Sequence, residues 1–146
     1  MKSYVAKPCD VNRKWYVVDA KDVVLGRLAT EVASILRGKK NVRFQPSFDM
    51  GDYVIVVNAE KVKLTGNKLQ QKEHRYYTGY SNGLKAISYE KMLQTKPEKV
   101  IELAVKGMLP KGILGRHLLK NLYIYDGTEH KQEAQKPKAI DINQYK

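Results

Sequence analysis

Cysteine is almost absent from this chain, which carries a single one, Cys9. One thiol cannot form an internal disulfide, and no second cysteine or histidine lies near it at the spacing of a metal site. The histidines His74, His117 and His130 are far apart, and no two of them form an HxxxH-type pair. We therefore predict no disulfide framework and no metal site, and a reducing compartment.

Long hydrophobic runs are absent as well. The longest unbroken apolar stretch is Tyr53–Val57, whereas a membrane-spanning helix needs about 18 residues. The N-terminal segment MKSYVAKPCD has no apolar core after its lysines, so we expect neither a secretory signal nor a transit peptide. These features predict a cytoplasmic protein without a membrane partner.

Acidic residues are scarce relative to basic ones. The chain has 27 Lys and Arg against 15 Asp and Glu, a formal charge of +12, and such an excess attracts polyanions, nucleic acid above all. Its 146 residues are about one domain long. We expect a single domain over residues 1–146, with a core at about 15–127 and an extension at each end.

The fingerprints of nucleotide-binding enzymes are missing. The turn at residues 20–27 has only Gly26 where a dinucleotide site has GxGxxG, and GxxxxGK[ST] occurs nowhere. Asp49 and Asp52 flank Gly51 in a context typical of local turn hydrogen bonds. We predict no catalytic residue, no cofactor and no small-molecule substrate. A small nucleotide-binding α/β enzyme that uses the 20–27 turn remains the alternative.

The hydrophobic pattern of the first half predicts a strand, a helix and a second strand. Residues 15–20 are β-prone, and the next segment has apolar residues at helical spacing up to Gly38. Tyr53–Val57 is apolar at every position, as in a strand covered on both faces of a parallel sheet. We expect a right-handed βαβ unit with the helix on one face.

The second half predicts a basic hairpin arm, two helices and a last strand. The hairpin is expected between about 61 and 80, and Ser88 and Pro97 are placed to start helices that run to about 93 and 107 and cover the second face of the sheet. Residues 122–125 predict the last strand. The polar tail from His130 is expected to be extended and ordered only against a partner.

The cations form three clusters in sequence. The first lies in a window free of acids between Glu31 and Asp49 and contains Arg37, Lys39, Lys40 and Arg43. The second is expected to line the hairpin and contains Lys61, Lys63, Lys68, Lys72 and Arg75. Lys106, Lys111 and Arg116 lie in a glycine-punctuated loop with no acid between Glu102 and Asp126, and we expect Gly107, Gly112 and Gly115 to let backbone approach phosphates. Tyr76 and Tyr77 beside Arg75 are typical of rings that stack on unpaired RNA bases, although tyrosine also packs in ordinary sheets. A solvated basic surface and a DNA-associated protein stay as alternatives. The candidate RNA-binding residues are Arg27, Arg37, Lys39, Lys40, Arg43, Lys61, Lys63, Lys68, Lys72, Arg75, Tyr76, Tyr77, Lys106, Lys111, Arg116 and Lys120.

Several motifs resemble one known family. VLGRLA at residues 24–29, GDYVIVVNA at 51–59, and GMLPK and LGR within 107–116 are similar to the bacterial large-ribosomal-subunit protein thirteen family, and the similarity runs in order from about residue 15 to 137. Ser47, Tyr77, Ser81 and Asn82 depart from that family's usual residues.

The resemblance implies a fold and a function. The implied fold is a three-layer α/β/α domain around a four-stranded, mainly parallel sheet, with a basic hairpin arm and extended tails. The implied function is non-enzymatic: a structural constituent of the large ribosomal subunit that binds ribosomal RNA, supports early subunit assembly and contacts neighbouring large-subunit proteins. Arg27, Lys68, Lys106, Lys111 and Arg116 match the family's motifs and are expected to contact the RNA backbone.

Overall fold

In the computed structural model, which describes residues 4–142, the first helix arises where the apolar spacing predicts it. Helix α1 spans Leu25–Leu36 and follows strand β1, Trp15–Asp19. The apolar residues of α1 that fall at helical spacing are all buried. Gly38 then turns the chain with a positive φ of 76°, and a Cβ at that position would overlap the carbonyl of Met50. The helix therefore ends at Leu36, and the predicted glycine forms the turn directly after it.

The remaining elements include two predicted helix starts, a separate hairpin and the other strands of the main sheet. Ser88 caps α3 by accepting a hydrogen bond from the backbone N–H of Lys91 at 3.4 Å, and Pro97 is the first residue of α4, as predicted. Within residues 4–142, no helix combines the length and apolar composition needed to cross a membrane. In chain order the elements are β2 (Tyr53–Val57), α2 (Lys68–Gln71), β3 (Glu73–Tyr77), β4 (Leu84–Ser88), α3 (Tyr89–Thr95), α4 (Pro97–Met108), α5 (Ile113–Leu119), β5 (Leu122–Ile124) and β6 (Lys138–Ile140), with 3-10 turns at Pro8–Asp10, Ala59–Lys61 and Glu133–Gln135.

The main sheet has four parallel strands in the order β5-β2-β1-β6. β1 and β2 pair over their full length, from Trp15 opposite Tyr53 to Asp19 opposite Val57. Val54, Ile55 and Val56 are fully buried, because both faces of the central strand are covered. The predicted α/β class with a four-stranded parallel sheet is confirmed, and the structure is consistent with the predicted three-layer fold.

The two faces of this sheet are covered differently. Val18, Val54 and Val56 share one buried cluster with residues of both α1 and α4, so the two long helices lie side by side on the same face. Tyr89 and Met92 of α3 belong to the same cluster, so the expectation that both helices after the hairpin would cover the second face is wrong. Strand alternation directs Trp15 and Tyr53 to the opposite face, where their rings stack at 4.3 Å.

The chain beyond His130 contributes a strand to the main sheet. The expectation that this tail is ordered only against a partner is therefore wrong. Strand β6 pairs with β1, with Tyr16 opposite Lys138 and Val18 opposite Ile140. Ile142, directly after this strand, is buried in the main core. The end of the N-terminal extension, residues 1–3, and that of the C-terminal one, residues 143–146, lie outside the described residues.

Candidate nucleic-acid interface

The predicted RNA-binding side chains are almost all on the surface. Every one of them is exposed except Arg37, which is half-buried with its guanidinium 5.8 Å from the ring centroid of Phe44. Exposed cations remain available to an external anion, whereas a cation packed on a ring within its own fold is partly committed to that fold. Arg37 is therefore the weakest member of the predicted set.

Lys106, Lys111 and Arg116 converge around one depression. Lys106 lies on α4, Lys111 on the connection after it and Arg116 on α5, and together they line a cavity of about 230 Å³. Within residues 4–142, no ion pair involves any of these cations. Because no described acid forms an ion pair with these cations, their positive potential is directed to solvent. We name this surface the 106–116 cluster.

The glycines of the 106–116 cluster have different roles from the ones predicted. The segment is not one loop, because it contains the end of α4 and the helix α5. A Cβ on the buried Gly115 would overlap the carbonyl oxygen of Pro110, and Gly112 has a φ of 136°. The fold itself requires both of these glycines. Gly107 has no positive φ and, like Gly112, has open space where a Cβ would point, as a site of close approach would need.

The second predicted cluster precedes the hairpin instead of lining it. The antiparallel hairpin is formed by β3 and β4, with Glu73 opposite Ser88 and Tyr77 opposite Leu84. Among the predicted cations of this cluster, only Arg75 is on a hairpin strand. Lys61 lies in the 3-10 turn, and Lys63 forms a β-bridge with Val24. Lys68 is the first residue of α2, and Lys72 directly follows that helix.

The hairpin exposes aromatic rings, and its predicted cation is already paired. Arg75 forms an ion pair with Glu73 on the same strand at 3.0 Å. Tyr77 is 65% exposed, and Tyr76 is 41% exposed with its ring 6.0 Å from that of His74. Tyr77 is thus the more accessible of the two predicted stacking residues, and base stacking there remains a prediction.

The acid-free window around Arg37 to Arg43 is not free of acids in space. Lys40 lies 3.3 Å from Glu31, and Arg43 lies 3.9 Å from Asp10, which comes from the N-terminal segment. The pKa of Asp10 is lowered below its ordinary value. The largest cause is a hydrogen bond from the backbone N–H of Lys7, and the next is one from the Tyr4 hydroxyl. Asp10 therefore stays charged beside Arg43, and this cluster is partly neutralised.

Part of the backbone of the turn at residues 20–27 is used internally. The N–H groups of Ala20, Asp22 and Leu25 donate to the carbonyls of Val57, Lys61 and Lys63, at 2.9 to 3.1 Å. A phosphate site at a strand-to-helix turn needs such groups free.

Arg27 is exposed in the first turn of α1, and Lys120 is exposed directly after α5. In the part of the chain that the structure describes, no cluster of three His, Cys, Asp or Glu side chains is arranged to hold a metal ion.

The two aspartates before β2 have structural partners. Asp49 accepts the local hydrogen bond predicted for it, from the backbone N–H of Gly51 at 3.0 Å, and also pairs with Arg13 at 2.8 Å. Asp52 instead accepts from the backbone N–H of Lys14 at 2.8 Å, across 38 residues of sequence. Both carboxylates therefore tie the N-terminal segment and the turn to the sheet.

Comparison with known proteins identifies the family of this chain. The family model for ribosomal protein L13 matches residues 13–131. This chain belongs to the ribosomal protein L13 family. Proteins similar to it include the large ribosomal subunit protein uL13 of Thermoanaerobacter sp. (strain X514), 59% identical over 97% of this chain and 99% of the relative, and that of Finegoldia magna, 58% identical over the same shares. The uL13 of Tolumonas auensis is 55% identical over 97% of this chain and 100% of its own length.

Gly26 of this L13-family chain is exposed but was not among the predicted RNA-binding residues. Gly26 and Gly107 line a groove together with Lys63, Lys68 and Lys72. The signal was present, because each is a glycine inside a helical apolar pattern, where alanine is the better helix former. That both line one groove could not be predicted from the sequence, because it depends on the packing of α1 against α4.

Proposed function

We propose that this protein is a structural constituent of the large ribosomal subunit, where its basic surfaces bind ribosomal RNA and support early subunit assembly beside neighbouring large-subunit proteins. Two facts support this function: the near full-length similarity to relatives named large ribosomal subunit protein uL13, and the 106–116 cluster, whose cations converge without a described acid partner. The second observation carries the RNA-binding part of the proposal.

The mechanism is electrostatic and positional. Cations on separate elements neutralise phosphates of RNA segments that meet at the protein, and the buried α/β core keeps those cations at fixed spacings. Such contacts carry little base information, so binding follows RNA shape and phosphate positions. No side-chain chemistry is required of the protein, and the missing GxGxxG and GxxxxGK[ST] fingerprints favour this interpretation over a nucleotide-binding enzyme.

The salt dependence of RNA binding tests the 106–116 cluster. Lys111→Ala and Arg116→Ala should each weaken binding of the full chain to purified large-subunit ribosomal RNA. Each should also lower the slope of log K against log salt, by about 0.7 to 0.9 for every phosphate that the variant no longer neutralises. Binding is measured by filter retention over a series of salt concentrations.

Lys99→Ala is the matched control, because Lys99 is exposed on α4 and already paired with Glu102 at 2.8 Å. Its salt slope should equal that of the unchanged protein. If Lys111→Ala and Arg116→Ala also leave the slope unchanged, these residues do not bind phosphates. If the unchanged protein itself fails to bind the RNA, the ribosomal RNA function is contradicted.

A further inference from the structure

A groove lies between the first turn of α1 and the last turn of α4, with residues 63–72 along its side. Its volume is about 340 Å³, and it is separate from the 106–116 depression. The side chains that line it are apolar, hydroxyl or cationic, and none is acidic. A groove of this composition is complementary to an anion with an apolar surface of its own. We name it the 26/107 groove.

The cations of this groove are held in place by their own surroundings. The Nζ of Lys68 donates to the hydroxyl of Thr65 at 3.1 Å. The Nζ of Lys72 lies 4.7 Å from the ring centroid of Tyr89, which restricts the side chain without removing its charge. Lys63 pairs with Asp22 at 3.0 Å, yet its side chain is 61% exposed. Positive charge is therefore pre-positioned along the groove.

The backbone of the groove is bare at two points. Gly26 is the second residue of α1 and Gly107 the second-last of α4, and neither has a positive φ. A Cβ on either one would have no neighbour within 4 Å. Alanine is the more favourable helix residue, so the isolated fold gives no reason for glycine at either place. Gly115 differs, because the fold itself requires glycine there: a Cβ at that position would overlap Pro110.

The two bare points belong to one rigid surface. Helices α1 and α4 pack against each other through the main buried cluster. At the groove, the hydroxyl of Thr30 on α1 lies 3.6 Å from the sulfur of Met108 on α4. A ligand that contacts Gly26 therefore meets Gly107 at a fixed separation.

We propose that the 26/107 groove seats a strand of ribosomal RNA backbone, with riboses packed against the exposed peptide at Gly26 and Gly107 and phosphates neutralised by Lys63, Lys68 and Lys72. This inference rests on the proposed ribosomal RNA function and adds a specific site to it. RNA is favoured over a protein partner because every charged side chain that lines the groove is a cation, and a sugar-phosphate strand offers both apolar ribose and regularly spaced anions.

The test places methyl groups in the groove. Gly26→Ala and Gly107→Ala, singly and combined, are made in the full chain, and both thermal unfolding and affinity for purified large-subunit ribosomal RNA are measured. The melting temperature should stay equal or rise, because each Cβ enters open space in a helix. The RNA dissociation constant of the double variant should rise by about tenfold.

Two matched controls separate a local effect from a general one. Gly127→Ala adds a methyl group in open space at a position that does not line the groove, and it should leave RNA affinity unchanged. Lys68→Gln should weaken binding, whereas Lys99→Gln, the same charge change elsewhere on the surface, should not.

The outcomes distinguish this inference from the function on which it rests. The inference is overturned if the unchanged protein binds the RNA and the double variant binds equally well, or if the alanines lower the melting temperature. Unchanged RNA affinity with a loss of incorporation into subunits would instead assign the groove to an acidic protein partner and also overturn it. If the unchanged protein neither binds the RNA nor enters the large subunit, the proposed function itself fails.

Discussion

At the scale of single residues, the glycines separate into those that the fold requires and those that it does not. Gly51 and Gly115 are buried, and a Cβ on either would overlap a backbone carbonyl, of Leu36 and Pro110 respectively. Gly26 and Gly107 meet nothing. Composition alone could not make this distinction, because it depends on which distant backbone lies above each glycine.

Gly115→Ala should therefore destabilise the free protein. The added methyl group overlaps the carbonyl of Pro110, so backbone must shift and the free energy of unfolding should fall by about 1–3 kcal/mol. Gly107→Ala is the matched control, with the same methyl group added in open space. Urea unfolding measures both variants, and equal stability of Gly115→Ala and the unchanged protein would contradict the packing role.

The sequence indicated which cations belong to the candidate site, but it did not indicate which acids lie beside them in the folded chain. Lys106, Lys111 and Arg116 were assigned from a charge pattern in one segment, and local chain geometry does place them together. Arg43 was assigned from an acid-free window, yet Asp10 reaches it from another segment. Charge balance in space depends on long-range contacts, and local sequence carries no record of them.

At the scale of elements, predictability followed how much of an element's signal is local. Helix α1 was predictable because its apolar stripe is long and regular and Gly38 ends it. Strand β6 has only three residues, two of them exposed, and is defined by pairing with β1. Helix α5 contains Gly115 and follows Pro110 and Gly112, so the sequence resembled a loop while packing of Leu118 in the core stabilises a helix.

Strand β6 should contribute to stability and not only to partner binding. A chain that ends at Lys136 lacks the strand and the core packing of Ile140 and Ile142. Its free energy of unfolding should fall by about 2–4 kcal/mol, because the apolar burial of these side chains is removed, and the uncovered edge of β1 should promote association. Urea unfolding and sedimentation test this, with a chain that ends at Ile142 as the control; unchanged stability would show that β6 is dispensable to the fold.

At the scale of the whole molecule, the chain combines a neutral interior with a strongly basic surface. The core is built from aliphatic residues of α1, α4 and the central strands. The formal net charge is +12, and most of the described cations are exposed, some of them offset by ion pairs. Self-repulsion of that size is relieved by a polyanion. The molecule is thus suited to hold several RNA segments against a rigid α/β framework.

The most direct measurement is sedimentation of a cell lysate on a sucrose gradient, before and after a high-salt wash, with this chain followed by mass spectrometry. Because many separate cations would contact RNA within an assembled particle, the account predicts that the protein migrates with the large ribosomal subunit and remains there after the wash. Recovery as a free small protein at the top of the gradient, before any wash, would contradict the account.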